Sequence, residues 1–160
     1  MSYMTDAAAP LSRAQTAVQR AVQPSVQRSF RLSATTADLL DRQASRANDS
    51  RNALADRLLS EGLRRELHPL ITFRTGAAGR REPHLGVSRL KIREVVTSLQ
   101  ANGGNLSETA ELFELPVSDI EAAASYYAEF TSEIDADIAW AESVADEEHQ
   151  RWQREQSAFT

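Results

Sequence analysis

The stretch from Val26 to Arg65, VQRSFRLSATTADLLDRQASRANDSRNALADRLLSEGLRR, constrains this chain more than any other, because it reads as a complete pattern that cannot fold alone. Phe30 and Leu32 alternate with Gln27, Ser29, Arg31 and Ser33, and side chains alternate between faces along an extended backbone. The pattern predicts a short strand with one apolar face and one that can hydrogen-bond. Ser33 is placed to cap a following helix, whose apolar residues Ala37, Leu40 and Ala44, with Leu39 beside them, repeat at helical spacing. Asn48 and Asp49 suit a left-handed break, and Ser50 then caps a second helix carrying Ala53, Leu54, Leu58, Leu59 and Leu63. About 40 residues with one strand bury too little surface to offset chain entropy. A lone strand also leaves its edges unpaired. The pattern therefore predicts an obligate homodimer, with strands paired antiparallel and helices interlocked.

These residues resemble the ribbon-helix-helix family of DNA-binding proteins, the MetJ, Arc and CopG type, without gaps over about a quarter of the chain. The resemblance implies that a two-stranded ribbon enters the major groove, which is wide enough to admit one. Gln27, Ser29 and Arg31 would then meet base edges, and Gln and Arg can make bidentate contacts to adenine and guanine. The amides at Ser50, Arg51 and Asn52 would hold a phosphate at the helix start. Arg28 departs from the pattern, standing on the inner face where the family often places an apolar residue. A dimer that never touches DNA is the simpler alternative.

Charge is distributed unevenly. Residues 1 to 104 hold sixteen Lys and Arg against nine Asp and Glu, a net +7; the last 56 hold two against fourteen, a net −12. The first part can meet phosphate and the second would be repelled by it, which suggests two kinds of partner. The other reading of the acidic section is a solvated helical surface. No cysteine is present, which excludes disulfides and thiolate metal sites. No apolar run nears the roughly 18 residues that span a bilayer, and the start has no apolar signal core. A cytoplasmic location is expected.

Residues 1 to 25 read as a flexible arm, 26 to 67 as the ribbon-helix-helix domain, 68 to 135 as a helical domain and 136 to 160 as an acidic helical tail. Past His68 and Pro69, Leu70, Ile71 and Phe73 predict a short strand, Gly76 to Pro83 a polar turn, and His84 and Leu85 a second short extended piece. A helix is expected over Ser88 to Ala101, stopped at Gly103 and Gly104. Capping boxes are expected at Asn105 with Glu108 and at Ser118 with Glu121. Leu112, Phe113, Leu115, Val117 and Ile120 would form the corner of a helix-turn-helix-like core. The fold class expected is thus mainly α: a ribbon-helix-helix, then a helix-turn-helix-like domain, then a long C-terminal helix.

The segments HPLITF, GVSRLKI and ETAELFELPVSDIEAAASYYAEF are similar to a small bacterial domain family of unassigned function with a helix-turn-helix or homeodomain-like core. Gly86 and Arg89 match its Gly-Thr-Arg-Ile-Pro-Val stretch; Val-Ser replaces Thr, and Lys91 replaces Pro. Such domains resemble those of VapB-like antitoxins found with PIN-type ribonuclease toxins. The resemblance implies a toxin-antitoxin role, in which the protein represses its own operon and neutralises the nuclease. The helix from Asp119 to Phe130 would read DNA poorly, having Asp119, Glu121 and Glu129 and no Lys or Arg. Docking or dimerisation suits it better, although Arg80, Arg81, Arg89, Lys91 and Arg93 leave a weaker contact open.

Beyond Pro116 the chain has no Gly or Pro. A seam through Ile120, Ala124, Tyr127, Thr131, Ile134, Ile138, Ala141, Ala145, Glu148, Trp152, Glu155 and Phe159 predicts one long helix or two in series. Trp140, Val144, Trp152 and Phe159 are candidate anchors for the toxin, with Trp140 the one most suited to packing on its own chain. Arg151 and Arg154, flanking Trp152, could pair with the toxin's metal-binding carboxylates; alternatively the acidic helix could fill its RNA groove. Catalysis finds no support: His68, His84 and His149 lack ligand spacing, and GAAGR lacks a phosphate-loop ending. No cofactor is expected. A stand-alone transcriptional regulator and a scaffold that never binds DNA remain the competing classes.

Overall fold

The computed structural model describes residues 26 to 76, 78 to 86 and 88 to 157. Among them the chain is mainly helical, with one small antiparallel sheet. The helices are α1 (Ala34–Ala47), α2 (Arg51–Leu67), α3 (Ile92–Ala101), α4 (Leu106–Phe113), α5 (Val117–Glu129) and α6 (Thr131–Ser157). Strands β1 (Ile71–Thr75) and β2 (Arg81–Leu85) lie between α2 and α3. The chain divides into two compact units between Leu39 and Leu40.

Residues 26 to 33 take no regular secondary structure. The strand expected there is not formed within one chain, and a strand needs an edge to pair with. Ser33 then caps α1, its Oγ accepting from the Thr36 amide at 3.2 Å. Asn48 turns the chain with a φ of 51°, a left-handed conformation that Asn tolerates better than most residues. Ser50 caps α2 by accepting from the Ala53 amide at 3.1 Å.

The second unit is built on the β1–β2 hairpin, with Ile71 opposite Leu85, Phe73 opposite Pro83 and Thr75 opposite Arg81. The expected polar turn through Pro83 is shorter than the sequence suggested, because β2 already begins at Arg81. Pro83 is tolerated because a two-stranded sheet has only edge strands. The helix expected from Ser88 starts at Ile92 instead. Ser88 and Leu90 are used in a turn back onto Leu85, and Lys91 bridges to His84, so the backbone is committed before the helix begins. Glu94 accepts from the Lys91 amide at 3.1 Å and completes the helix start. Gly103 and Gly104, with φ of 62° and 82°, end α3.

Asn105 caps α4, accepting from the Glu108 amide at 3.1 Å, but the expected box is only half formed, because Glu108 accepts from the Asn105 side-chain amide rather than from its backbone. The Ser118 box does not form: α5 starts at Val117, two residues before the Asp119 start that a Ser118 cap implies, with Pro116 before it and no side-chain cap. The tail consists of two helices in series, broken at Phe130, and α6 runs without interruption past residue 135.

The core of this unit gathers Ile71, Leu85, Ile92, Val95, Val96, Ala110, Ile120, Ala123, Tyr126 and Ile134. Phe113 and Leu115 pack against it, but Leu112 and Val117 of the expected corner are exposed. The seam through α5 is one residue out of phase with the structure, since Tyr126 is fully buried and Tyr127 lies at the margin.

Candidate nucleic-acid interface

Gln27, Ser29 and Arg31 are exposed on the segment that precedes α1. So are Phe30 and Leu32, at 71% and 54% exposure. Two large apolar side chains two residues apart, both uncovered, are a cost that burial by another surface would remove.

The start of α2 carries the expected phosphate donors. The amides of Arg51 and Asn52 have no acceptor within the helix, as is general for the first turn. Ser50 differs from expectation, because its amide donates to Asp49 Oδ1 at 2.9 Å and its hydroxyl is used on Ala53. The guanidinium of Arg51 pairs with Asp41 at 2.8 Å. Of the three expected phosphate donors, Ser50 serves the turn, which leaves the first-turn amides of Arg51 and Asn52.

Four basic residues in and beside the hairpin, Arg80, Arg81, Lys91 and Arg93, are paired within the chain. Arg81 pairs with Glu61 at 2.6 Å and Arg80 pairs with Asp137. Arg93 and Lys91 both reach Glu82, at 2.6 and 3.3 Å. Burial raises the Glu82 carboxyl, but Arg93 and Lys91 outweigh it and hold it below the usual carboxylate range. Glu61 is likewise held low, with Arg81 and Arg57 overcoming its partial burial. Arg89 is exposed.

Sequence reasoning missed a polar joint at the end of α2. Arg64 donates to both oxygens of Glu133 at 2.8 Å and to the Tyr126 hydroxyl at 2.9 Å. Its guanidinium lies 4.2 Å from the Phe130 ring centre. Burial opposes the Arg64 charge, yet Glu133 holds it above its ordinary value. Burial also pushes the Tyr126 hydroxyl up to about 12. His68 meets Glu129 at 2.7 Å and the Tyr126 ring edge-on. Nothing in the spacing of Arg64, Tyr126 and Glu133 signals this meeting, because each belongs to a different helix.

On α6, the candidate anchors separate. Trp140 is half-buried with the Arg80 guanidinium 4.2 Å over its ring, so its own chain already uses that face. Val144 is half-buried, and Arg151, Trp152 and Arg154 are exposed. Trp152 stacks with His149, whose ring meets Gln153 at 2.8 Å. Phe159 lies outside the described residues. Among the described residues, no cluster of His, Asp and Glu could hold a metal ion, and no helix is long and apolar enough to cross a membrane. Comparison with family models, curated proteins and solved structures found no match to this chain.

Proposed function

We propose that this protein is a dimeric, DNA-binding antitoxin: it grips operator DNA through a ribbon shared by two copies, represses its own operon and restrains a PIN-like ribonuclease through α6. The observation that carries the reading is the exposed segment from Val26 to Ser33, set before two helices capped by Ser33 and Ser50 and joined at left-handed Asn48. Phe30 and Leu32 want cover, while Gln27, Ser29 and Arg31 offer the side chains that read base edges. Leu58, Leu59, Leu63 and Leu67 on α2 are also uncovered, consistent with a dimer core left open in one chain. The internal pairing of Arg80, Arg81, Lys91 and Arg93 favours the N-terminal segment over the second unit as the DNA contact.

For the toxin, the exposed set of Arg151, Trp152 and Arg154 is better suited than Trp140, which Arg80 already covers. The test is a mobility shift on DNA upstream of the protein's own reading frame, compared with Arg31→Ala. Loss of one bidentate base contact should weaken binding by roughly ten- to a hundredfold with helicity and dimerisation unchanged. Equal binding by the variant, or none by the native chain, would sink the reading.

A further inference from the structure

An open groove of about 510 Å³ runs between α3 and α6, with Phe113, Ile138 and Ala141 at its floor and Glu94 and Glu142 at its rim. Beyond it, α6 leaves the fold: from Glu142 to Ser157 every residue except Val144 is exposed. Four turns of helix exposed at nearly every position are marginal in water. Trp152, 56% exposed, stands on that free stretch.

We propose that α6 of one copy pairs antiparallel with α6 of a second copy, each placing Trp152 in the other's groove. The helix cannot fill its own groove, because Trp152 lies eleven residues beyond Ala141 on the same continuous helix, or about 16 Å along its axis. A second copy can. Antiparallel pairing about a two-fold axis between Asp146 and Glu147 sets small against large along one seam. Ala141 meets the second copy's Trp152, and Ala145 meets its Glu148, whose carboxylate has a short way to solvent. On the flank toward α3, Glu142 meets His149, and the stacked His149 and Trp152 enter the groove together.

Charge favours the same direction. Glu142, Asp146, Glu147 and Glu148 make one half of the free stretch strongly acidic, while Arg151 and Arg154 outweigh Glu155 and leave the next half slightly basic. Antiparallel copies lay acidic beside basic, while parallel copies would lay like on like. The contact is self-complementary, as a closed two-fold interface requires. The pairing involves residues 93 to 157 alone, so it is separate from the N-terminal ribbon, and a toxin that uses Trp152 would have to displace it.

The absence of native cysteine makes the register directly testable in the full chain. Glu142→Cys with His149→Cys should give a disulfide between copies under mild oxidation. The two cysteines lie seven residues apart on one helix, about 10 Å, so they cannot bond within a chain. Either variant alone should give no link, since the like positions of two antiparallel copies lie several residues apart along the axis. Adding Trp152→Ala, a change at an exposed position outside the core, should reduce the yield by roughly tenfold or more. Absence of the link in the double variant overturns the proposal. So does linkage by Glu142→Cys alone, which indicates parallel copies, or a yield indifferent to Trp152.

Discussion

Arg64 on α2 holds Glu133 on α6 through two parallel hydrogen bonds of 2.8 Å each, while its Nη1 also donates to the Tyr126 hydroxyl. One guanidinium thus fixes the end of α2 to two later helices. A planar, forked donor can do this and an ammonium cannot. The second helix of the candidate DNA-binding element is thereby tied to the fold that bears the C-terminal helix.

Removing that fork should be measurable. Arg64→Met keeps much of the apolar stem but leaves the buried Tyr126 hydroxyl without this donor. Glu133 is 40% exposed and regains water, so the loss should be about 1 to 2 kcal/mol, below that of a fully buried pair. A urea midpoint unchanged within error would show that the joint carries no stability.

Gly76 is packed against a carboxylate. A Cβ placed there would lie 2.5 Å from Glu82 Oε2, and that side chain cannot swing away freely because Arg93 and Lys91 hold it. Gly76→Ala should cost about 1 to 3 kcal/mol in thermal unfolding, and a wild-type melting temperature would contradict the packing.

His84 gives the second unit a pH dependence of definite sign. Burial holds its imidazole below the ordinary value of 6.5; the Arg89 carbonyl works the other way, and Arg74 and Lys91 add to the depression. As pH falls the unfolded chain takes up this proton first, so the contribution is whole above about 6.5 and is lost through the lower folded value. Urea midpoints at pH 7.5 and 5 should therefore fall more for the native chain than for His84→Gln. Equal falls would remove His84 as the cause.

Asn48 separates backbone strain from side-chain contact. At a φ of 51° a glycine is unstrained, so Asn48→Gly should leave stability within about 1 kcal/mol. A β-branched residue is strained there, and Asn48→Val should cost about 1 to 3 kcal/mol. Loss of the Ser50 cap by Ser50→Ala should cost about 1 kcal/mol independently. Calorimetry of the three variants checks the order.

Local signals in the sequence hold where a residue acts on its own neighbours. Ser33, Ser50 and Asn105 cap the helices they precede, and Asn48, Gly103 and Gly104 turn the chain through positive φ. The signals that failed involve distant competition. Ser118 can cap a helix, but Pro116 let the helix begin before it. The seam named Tyr127, whereas Tyr126 is the ring that meets His68, Phe73 and Phe130. Adjacent Tyr126 and Tyr127 both satisfy a helical period, and packing against His68, Phe73 and Phe130 selects Tyr126.

Sequence alone sets the helix caps at Ser33, Ser50 and Asn105, the chain turns at Asn48, Gly103 and Gly104, and the apolar side of Val26 to Ser33 that asks for cover. Those choices follow from side chains bonding to backbone a few residues away and from periodicity. Packing of the helices brings Arg64 to Tyr126 and Glu133, lays Arg80 over Trp140 and beside Asp137, and pairs Arg81 with Glu61. These contacts span up to 69 residues of chain. Which charges meet across such a separation depends on how helices pack, and no local pattern encodes it.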